Sequence, residues 1–280
     1  KRNYIRGVGL VVILIASVVI TGIAGFWSID PVYFAERFRD FLVVISIIYF
    51  IYLLFFAGLT ANEKKNVLML LLLFIGAAAF WSGFDQSAGS LTIFTRDYVN
   101  LTFGTFTAPV SWTQFVNPLF VVMFAPFFAY LWVFLGKRNL DPNMPIKFGL
   151  GLILMALGFI VMILAVKYAL ASSPVGVQWL LLTYLLHTFG ELTLSPVGLS
   201  AFSKYSPKRY LGQMMGIWFL ASSLGGVLAG LLGGEATESG LESMSPVFTE
   251  LVYYCLAIAA VLIVLSFFIK GAKTDNIPDE

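Results

Sequence analysis

Long uncharged apolar runs fill most of the chain, and short segments between them carry most of its charge. Each run is about twenty residues or longer, which lets an α-helix cross a hydrocarbon core of about 30 Å. The pattern predicts eight membrane-spanning helices, near residues 7–28, 41–61, 66–94, 112–136, 147–167, 177–203, 210–233 and 250–270. Polar residues interrupt two of the runs, at Asp85 in the third and at Glu191 with Pro196 in the sixth.

The composition fits the same class of protein. The 280 residues are 59% hydrophobic and only 11% charged, whereas a water-soluble domain needs more charged residues to cover its surface. We therefore predict an all-α polytopic membrane protein. Cys255 is the only cysteine and His187 the only histidine, which argues against an intrachain disulfide and against most metal sites. Nucleotide-binding motifs are absent as well, so we expect no cofactor and no nucleic-acid partner.

The basic residues predict the orientation of the chain in the membrane. With eight spans, 13 of the 17 lysine and arginine residues fall on one side, and only Arg37, Arg39, Arg96 and Lys167 fall on the other. Cytoplasmic loops carry the excess of positive charge, so both ends of this segment are predicted to be cytoplasmic.

Three ionisable residues lie within predicted spans: Asp85, His187 and Glu191. Glu191 is near the midpoint of its span, too far from either interface for its side chain to reach water. It either stays protonated or faces a cation or a watery cavity, which favours a functional role. Ser195 follows on the same helical face, and Pro196 leaves the carbonyl of Leu192 without its usual amide partner.

The other two ionisable residues leave alternatives open. His187 is either a neutral, hydrogen-bonded core residue or part of a coupled proton site with Glu191, which lies four residues later on the same face. Asp85 is either neutral or paired with a cation from outside this sequence, because the spans contain no suitable basic residue. His187 and Ser195 are separated by two turns of one helix, which is too far for direct contact and argues against a nucleophile–base pair.

Weaker features lie on neighbouring helices. Asn117 is either an interhelical hydrogen-bonding residue or a ligand-binding one, and Trp218 is more often a packing residue than a ligand contact. Glycines near Trp218 have small-xxx-small spacing, which predicts a close approach of two helices; they are Gly212, Gly216, Gly226 and Gly230.

Three stretches together resemble the C-terminal half of the proton-dependent oligopeptide transporters, a branch of the major facilitator superfamily. They are FWSGFDQSAGSLTIF, FVNPLFVVMFAPFFAYLW and GELTLSPVGLSAFSKYSPKRYLGQMMGIWFLASSLGG, in that order. The third is the most specific, since it joins a glutamate, an SPxGLS segment, a basic turn and a glycine-rich helix. The resemblance implies two domains: residues 1–65 as the two linker helices of bacterial members, and residues 66–280 as the C-terminal six-helix bundle.

The resemblance also implies roles for individual residues. Glu191 matches the glutamate that receives the amino terminus of a bound di- or tripeptide and that pairs, in the empty site, with a lysine of the N-terminal half. The other positions expected to bind substrate are Trp81, Asn117, Trp218 and Ser195.

A second group is expected to act in proton coupling or gating, and it consists of Asp85, Gln86 and Asp97. Asp85 matches an acidic residue, usually glutamate, that faces an arginine of an ExxER motif in the N-terminal half. Asp97 matches an extracellular gate partner. The ExxER motif is absent from this sequence.

These features predict a proton-coupled peptide symporter of the bacterial inner membrane that works by alternating access, with di- and tripeptides, protons, the lipid bilayer and an N-terminal six-helix half as its partners. Three alternatives stay open: a transporter of nitrate or another small solute, an intramembrane enzyme that uses Asp85 and Glu191 as an acid pair, and a membrane peptide sensor that does not transport.

Overall fold

The computed structural model describes residues 30–237 and 240–267, together with Ser17 and Thr21. The first predicted helix, 7–28, lies outside the described residues except for these two. Residues 1–38 and residues 39–280 form two compact units, and the second of them holds every site discussed below.

The described residues contain eight α-helices. In chain order they are α1 (Pro31–Ile51), α2 (Ala61–Phe84), α3 (Ser90–Tyr98), α4 (Val116–Lys137), α5 (Met144–Ala171), α6 (Gln178–Tyr205), α7 (Leu211–Thr237) and α8 (Leu241–Ser266). A π-helical turn, Tyr52–Phe56, continues α1, and 3₁₀ turns at Asp85–Ser87, Val110–Phe115 and Lys208–Tyr210 join other helices.

Four very short strands complete the described secondary structure. β1 (Val99–Asn100) pairs in parallel with β4 (Val175–Gly176), whereas β2 (Thr102–Phe103) and β3 (Phe106–Thr107) form a hairpin that turns at Gly104. Gly104 has a φ of 64°, a conformation that glycine adopts without steric cost. The parallel pair ties the segment after α3 to the segment before α6.

The third and sixth predicted helices, each interrupted by polar residues in the sequence, differ in their continuity. The third predicted helix, 66–94, is not continuous, because α2 ends at Phe84 and α3 begins only at Ser90. The intervening segment, Asp85–Gly89, is a 3₁₀ turn over Asp85–Ser87, followed by Ala88 and by a glycine with non-helical angles. In contrast, the sixth predicted helix, 177–203, is confirmed, because α6 runs through Pro196 without a break. The proline removes one backbone donor but does not end the helix.

Six described helical segments are long and apolar enough to span a membrane by length and composition. Helix α6 has the length but not the hydropathy, since it carries threonines, His187, Glu191 and Ser195 along one chain segment. Each of these polar groups must be satisfied within the protein, which makes α6 the helix least suited to face lipid.

Glycines bring helix backbones together at two contacts. Gly190 of α6 lies against Gly151 of α5, where a Cβ on Gly190 would come within 2.8 Å of the Gly151 carbonyl oxygen. Gly225 of α7 lies against α2, where a Cβ would come within 2.9 Å of the Ala78 carbonyl oxygen. Small residues allow such approach in a membrane, where lipid tails remove much of the hydrophobic drive for association.

The predicted role of four other glycines in helix approach is largely wrong. A Cβ on Gly212, Gly216 or Gly230 would meet no described atom within 4 Å, and one on Gly226 would meet only the Asp85 carboxylate. The closest contact is thus made by Gly225, one position away from the predicted Gly226. Because α7 is rotated so that Gly225 faces α2, the four glycines with small-xxx-small spacing do not face α2.

The basic turn between α6 and α7 is fastened to the end of the preceding α1 segment. The guanidinium of Arg209 donates to the backbone carbonyls of Ala57 and Gly58. The Tyr49 hydroxyl donates to the Gln213 amide oxygen at 2.9 Å. These bonds connect residues about 150 positions apart in sequence and hold the end of α1 against α7.

Replacing Gly225 by alanine tests the contact between α2 and α7. In the full-length protein we expect Gly225→Ala to destabilise the fold by about 1–3 kcal/mol, because the new methyl group meets backbone atoms that cannot rotate away. The control is Gly216→Ala in the same helix, which we expect to be neutral or slightly stabilising. The midpoint temperature of unfolding in detergent measures both, and equal shifts for the two variants would contradict the packing.

Candidate functional site

The carboxylate of Glu191 accepts a hydrogen bond from a neighbouring helix. Asn117, the second residue of α4, donates from Nδ2 to Glu191 Oε2 at 3.0 Å and also approaches Thr188 Oγ1 at 3.0 Å. Thr188 in turn donates to the backbone carbonyl of Tyr184 at 2.7 Å. One amide therefore fixes a carboxylate and a hydroxyl that lie one turn apart on α6.

Local sequence explains why Asn117 can reach this point. Pro118 follows it within the first turn of α4, where the absence of a backbone N–H costs no helical hydrogen bond. Further along α4, the rings of Phe124 and Phe128 pack on Phe189 of α6, with centroids 5.0 and 5.3 Å apart. These aromatic contacts pack the middle of α4 against α6.

A groove of about 590 Å³ lies beside this pair, between α2, α6 and α7. Four predicted site residues line it, namely Trp81, Asp85, Ser195 and Trp218. Its other lining residues are Leu199, Phe219, Ser222, Ser223 and Gly226. Ser195 lies one turn along α6 from Glu191 on the same face, so the hydrogen-bonded carboxylate and the groove adjoin.

Trp218 combines a packing role with a place in the groove wall. Its side chain is 6% exposed and lies between the rings of Phe148 and Phe202, at centroid distances of 6.4 and 5.4 Å. Gly198 makes room for the indole, because a Cβ there would come within 2.2 Å of it. The ring is held rigidly, and the part of it that reaches the groove is a fixed apolar surface.

Asp85 enters the groove from the end of α2. It is the C-cap residue of that helix and half-buried, and Gly226 of α7 lets its carboxylate approach, since a Cβ there would be 3.2 Å from Asp85 Oδ2. Within the described ranges, no lysine or arginine forms an ion pair with Asp85 or with Glu191. Neither carboxylate is therefore paired with a cation among the described residues.

Two residues predicted to act in coupling or gating lie outside the groove. Gln86 is fully buried and donates to the Ala229 carbonyl at 2.9 Å, while its own oxygen accepts from Ser90 at 2.7 Å. It thus fastens the helix break to α7. Asp97 is exposed at the end of α3 and pairs with its neighbour Arg96 at 2.7 Å.

His187 lies in the contact between α5 and α6. Its side chain is 2% exposed and packs on Phe159 with ring centroids 4.9 Å apart, and a Cβ on Gly158 would come within 2.4 Å of the imidazole. Its Nε2 has no hydrogen-bond partner among the described residues. This placement gives His187 a packing role, and no described hydrogen bond joins it to Glu191.

Sequence reasoning overlooked several polar residues of the site. Thr188 orients Asn117, and Ser222 and Ser223 line the groove while both donate to the Phe219 carbonyl. The spacing of Thr188 three residues before Glu191 is a sequence signal for a shared helical face. Adjacent serines in an apolar helix are a weaker signal, because such hydroxyls commonly bond to their own backbone.

Comparison with known proteins gives one consistent result. Residues 12–242 match the family model described as the POT family. The chain is 38% identical over 269 residues to the peptide transporter YePEPT of Yersinia enterocolitica, covering 94% of this chain and 53% of the relative. It is 34% identical to a di-/tripeptide transporter of Lactococcus lactis subsp. cremoris, covering 80% of this chain and 45% of the relative.

A solved structure has the same fold. The crystal structure of a POT family transporter in complex with 5-aminolevulinic acid superposes with a TM-score of 0.81 at 29% identity, covering 97% of this chain and 55% of that one. The chain spans about half the length of the curated relatives it matches. These matches identify a transporter family, which excludes the intramembrane enzyme. The chain is an all-α, multi-pass membrane protein of the major facilitator type, and it belongs to the POT family.

Proposed function

We propose that this chain forms the C-terminal half, with two preceding linker helices, of a proton-coupled symporter for di- and tripeptides that works by alternating access. The observation that carries the proposal is the Glu191 carboxylate, held by Asn117 beside a groove with two tryptophans in its wall. The peptide and di-/tripeptide transporters among its relatives support the same substrate class.

The chemistry of a short peptide fits this arrangement. A peptide carries an ammonium group, a carboxylate and side chains of variable polarity. The ammonium needs an anionic, hydrogen-bonding partner in a partly dehydrated site, and Glu191 provides a carboxylate that Asn117 holds in place. Trp81 and Trp218 offer apolar surface that accepts side chains of many shapes. The peptide carboxylate would bind to cations of the N-terminal half.

Proton coupling would use the carboxylates of the same site, with the proton as coupling ion and no cofactor. In the empty site, cations of the N-terminal half would pair with Glu191 and Asp85. Binding of a peptide ammonium or a proton would neutralise these carboxylates and weaken the attraction between the halves. Gln86 would support Asp85 by fixing the helix break, and Asp97 would act at the outer gate.

The domain division and the orientation belong to the same proposal. Residues 1–65 would be the linker helices and residues 66–280 the C-terminal bundle, in a bacterial inner membrane with both ends of the segment cytoplasmic. The excess of lysine and arginine on one side supports the orientation. The groove between α2, α6 and α7 would face the N-terminal half, and the substrate path would run between the two halves.

Replacing Glu191 by glutamine removes the charge and keeps the shape. In the full-length protein in proteoliposomes, we expect Glu191→Gln to reduce proton-driven dipeptide uptake at least about thirtyfold, as for the loss of one partner of a desolvated charge pair. Glu242→Gln, at an exposed position of α8, is the control and should transport like the wild type. Wild-type uptake by Glu191→Gln would overturn the assignment. Absence of uptake by the wild type itself would favour the peptide sensor.

Cysteine labelling tests whether the groove is on the substrate path. In a full-length background with no other reactive cysteine, we expect Ser195→Cys to react with a maleimide. We also expect added dipeptide to slow this reaction. Thr193→Cys is the matched control, because Thr193 is buried on the other face of α6 and should react roughly tenfold more slowly. The native Cys255 is fully buried. Equal rates at 193 and 195, or no protection by dipeptide, would contradict the proposal.

Competition separates peptide from anion transport. The carboxylates of Asp85 and Glu191 would repel nitrate, so we expect excess unlabelled dialanine to suppress uptake of labelled dipeptide while the same concentration of nitrate leaves it unchanged. Chloride at equal ionic strength serves as the control for screening of charge. Suppression by nitrate but not by chloride would favour the transporter of small anions instead.

A further inference from the structure

A second groove, separate from the first, opens on the side of the bundle. This lateral groove is formed by α1, α2, α7 and α8, has a volume of about 670 Å³, and shares no lining residue with the groove at Trp81 and Asp85. Arg39, Glu235 and Glu250 are its only charged lining residues. The remainder of its wall is apolar except for Ser46, Ser82 and Tyr254.

The contacts between its walls place the charged residues at one end. The ring of Phe50 meets that of Phe74 at 5.7 Å, which aligns the far end of α1 with the middle of α2. Ser82 lies about two turns beyond Phe74 along α2 and bonds to Tyr254 of α8. Arg39 is three turns from Phe50, and Glu250 is one turn beyond Tyr254 in the same direction.

The same alignment holds for α7. Gly225 packs on Ala78 and Ser82, so the helix passes this level and continues for almost three turns to Glu235. All three charged side chains thus form a polar rim, and the apolar floor runs from the rim to Phe50, Leu71 and Phe74.

The length of the groove matches half a membrane. From Arg39 to Phe50, α1 rises about 16 Å, roughly half of a hydrocarbon core of about 30 Å. A lipid chain of one leaflet fills this length with its head group at the rim.

The charges of the rim select a head group. Arg39 pairs with Asp40 at 2.9 Å, whereas Glu235 and Glu250 form no ion pair with any residue in the described ranges. The rim therefore has an excess of negative charge with one guanidinium beside it. A primary ammonium can donate hydrogen bonds to the two carboxylates, and an adjacent phosphate can accept from Arg39. An anionic head group without an ammonium would be repelled.

We propose that the lateral groove is a binding site for one acyl chain of an ethanolamine phospholipid, with the ammonium at Glu235 and Glu250 and the phosphate at Arg39. The proposal requires that the chain spans a membrane and does not depend on the transported substrate. The lipid bound in the lateral groove would close the apolar opening between α1 and α8 and hold α1 on the bundle.

Native mass spectrometry of the full-length protein tests the site. The delipidated protein is mixed with equal amounts of dioleoyl phosphatidylethanolamine and dioleoyl phosphatidylglycerol, and the first lipid adduct is quantified. On the wild type we expect roughly fivefold more adduct of the ethanolamine lipid than of the glycerol lipid, because two weak ion pairs provide a ratio of this size. On the double variant Glu235→Gln/Glu250→Gln we expect nearly equal amounts of the two adducts. Glu242→Gln, an exposed glutamate outside the groove, should keep the preference.

A second variant tests the acyl-chain part without changing charge. Ile47→Trp, or Val43→Trp if the first does not fold, places an indole in the groove and should remove most of the first adduct of either lipid. Equal binding of the two lipids to the wild type, a preference that survives in the double variant, or an adduct unaffected by the tryptophan would each overturn the proposal. So would a dimer that binds neither lipid, which would indicate a second copy in the groove.

Discussion

The close contact of helix backbones at a few glycines fixes the helices that carry Trp81, Asp85 and Glu191. In a membrane, apolar side chains gain little by leaving lipid, so helices associate where their surfaces fit closely. Gly190 on Gly151 fixes α6 to α5, and Gly225 on α2 fixes α7. The first contact sets the depth and rotation of Glu191, and the second brings Trp81 and Asp85 to α7. A methyl group at either contact would separate the helices and widen the site.

Much of the fold could be predicted from the sequence because its dominant signal is simple. Runs of apolar residues long enough to cross a membrane identify helices almost independently of tertiary contacts, and α4, α5 and α6 begin and end within a few residues of the predictions. Interruptions were harder to predict. Pro196 leaves α6 intact, and the helix packs on its neighbours on both sides of the proline, at Leu194 and at Gly198. The glycine and serine residues after Asp85 instead offer the backbone alternatives that end α2.

The site was predictable in part, for a related reason. Carboxylates in apolar runs are costly, so Asp85 and Glu191 are conspicuous without any structure. Side chains whose role depends on helix rotation cannot be recognised in this way. Gln86 lies beside Asp85 in sequence but is buried in a contact with α7, and Thr188 becomes relevant only because Asn117 reaches it. A pattern of apolar residues predicts that helices exist, but the partner that each polar side chain meets depends on close packing between them.

The end of α2 places a carboxylate where positive charge would be stabilising. Asp85 caps the C-terminus of a 24-residue helix, where the backbone carbonyls already concentrate negative charge. A carboxylate at this end is destabilising by about 0.3–1 kcal/mol even in water, and more in a half-buried groove. No described side chain donates to it, although Gly226 leaves its carboxylate free to approach α7. Binding of a proton or of an external cation would remove this unfavourable charge, so the local stability at the end of α2 depends on the cation bound there. Under the proposed function, this dependence is what would let Asp85 link ion binding to movement.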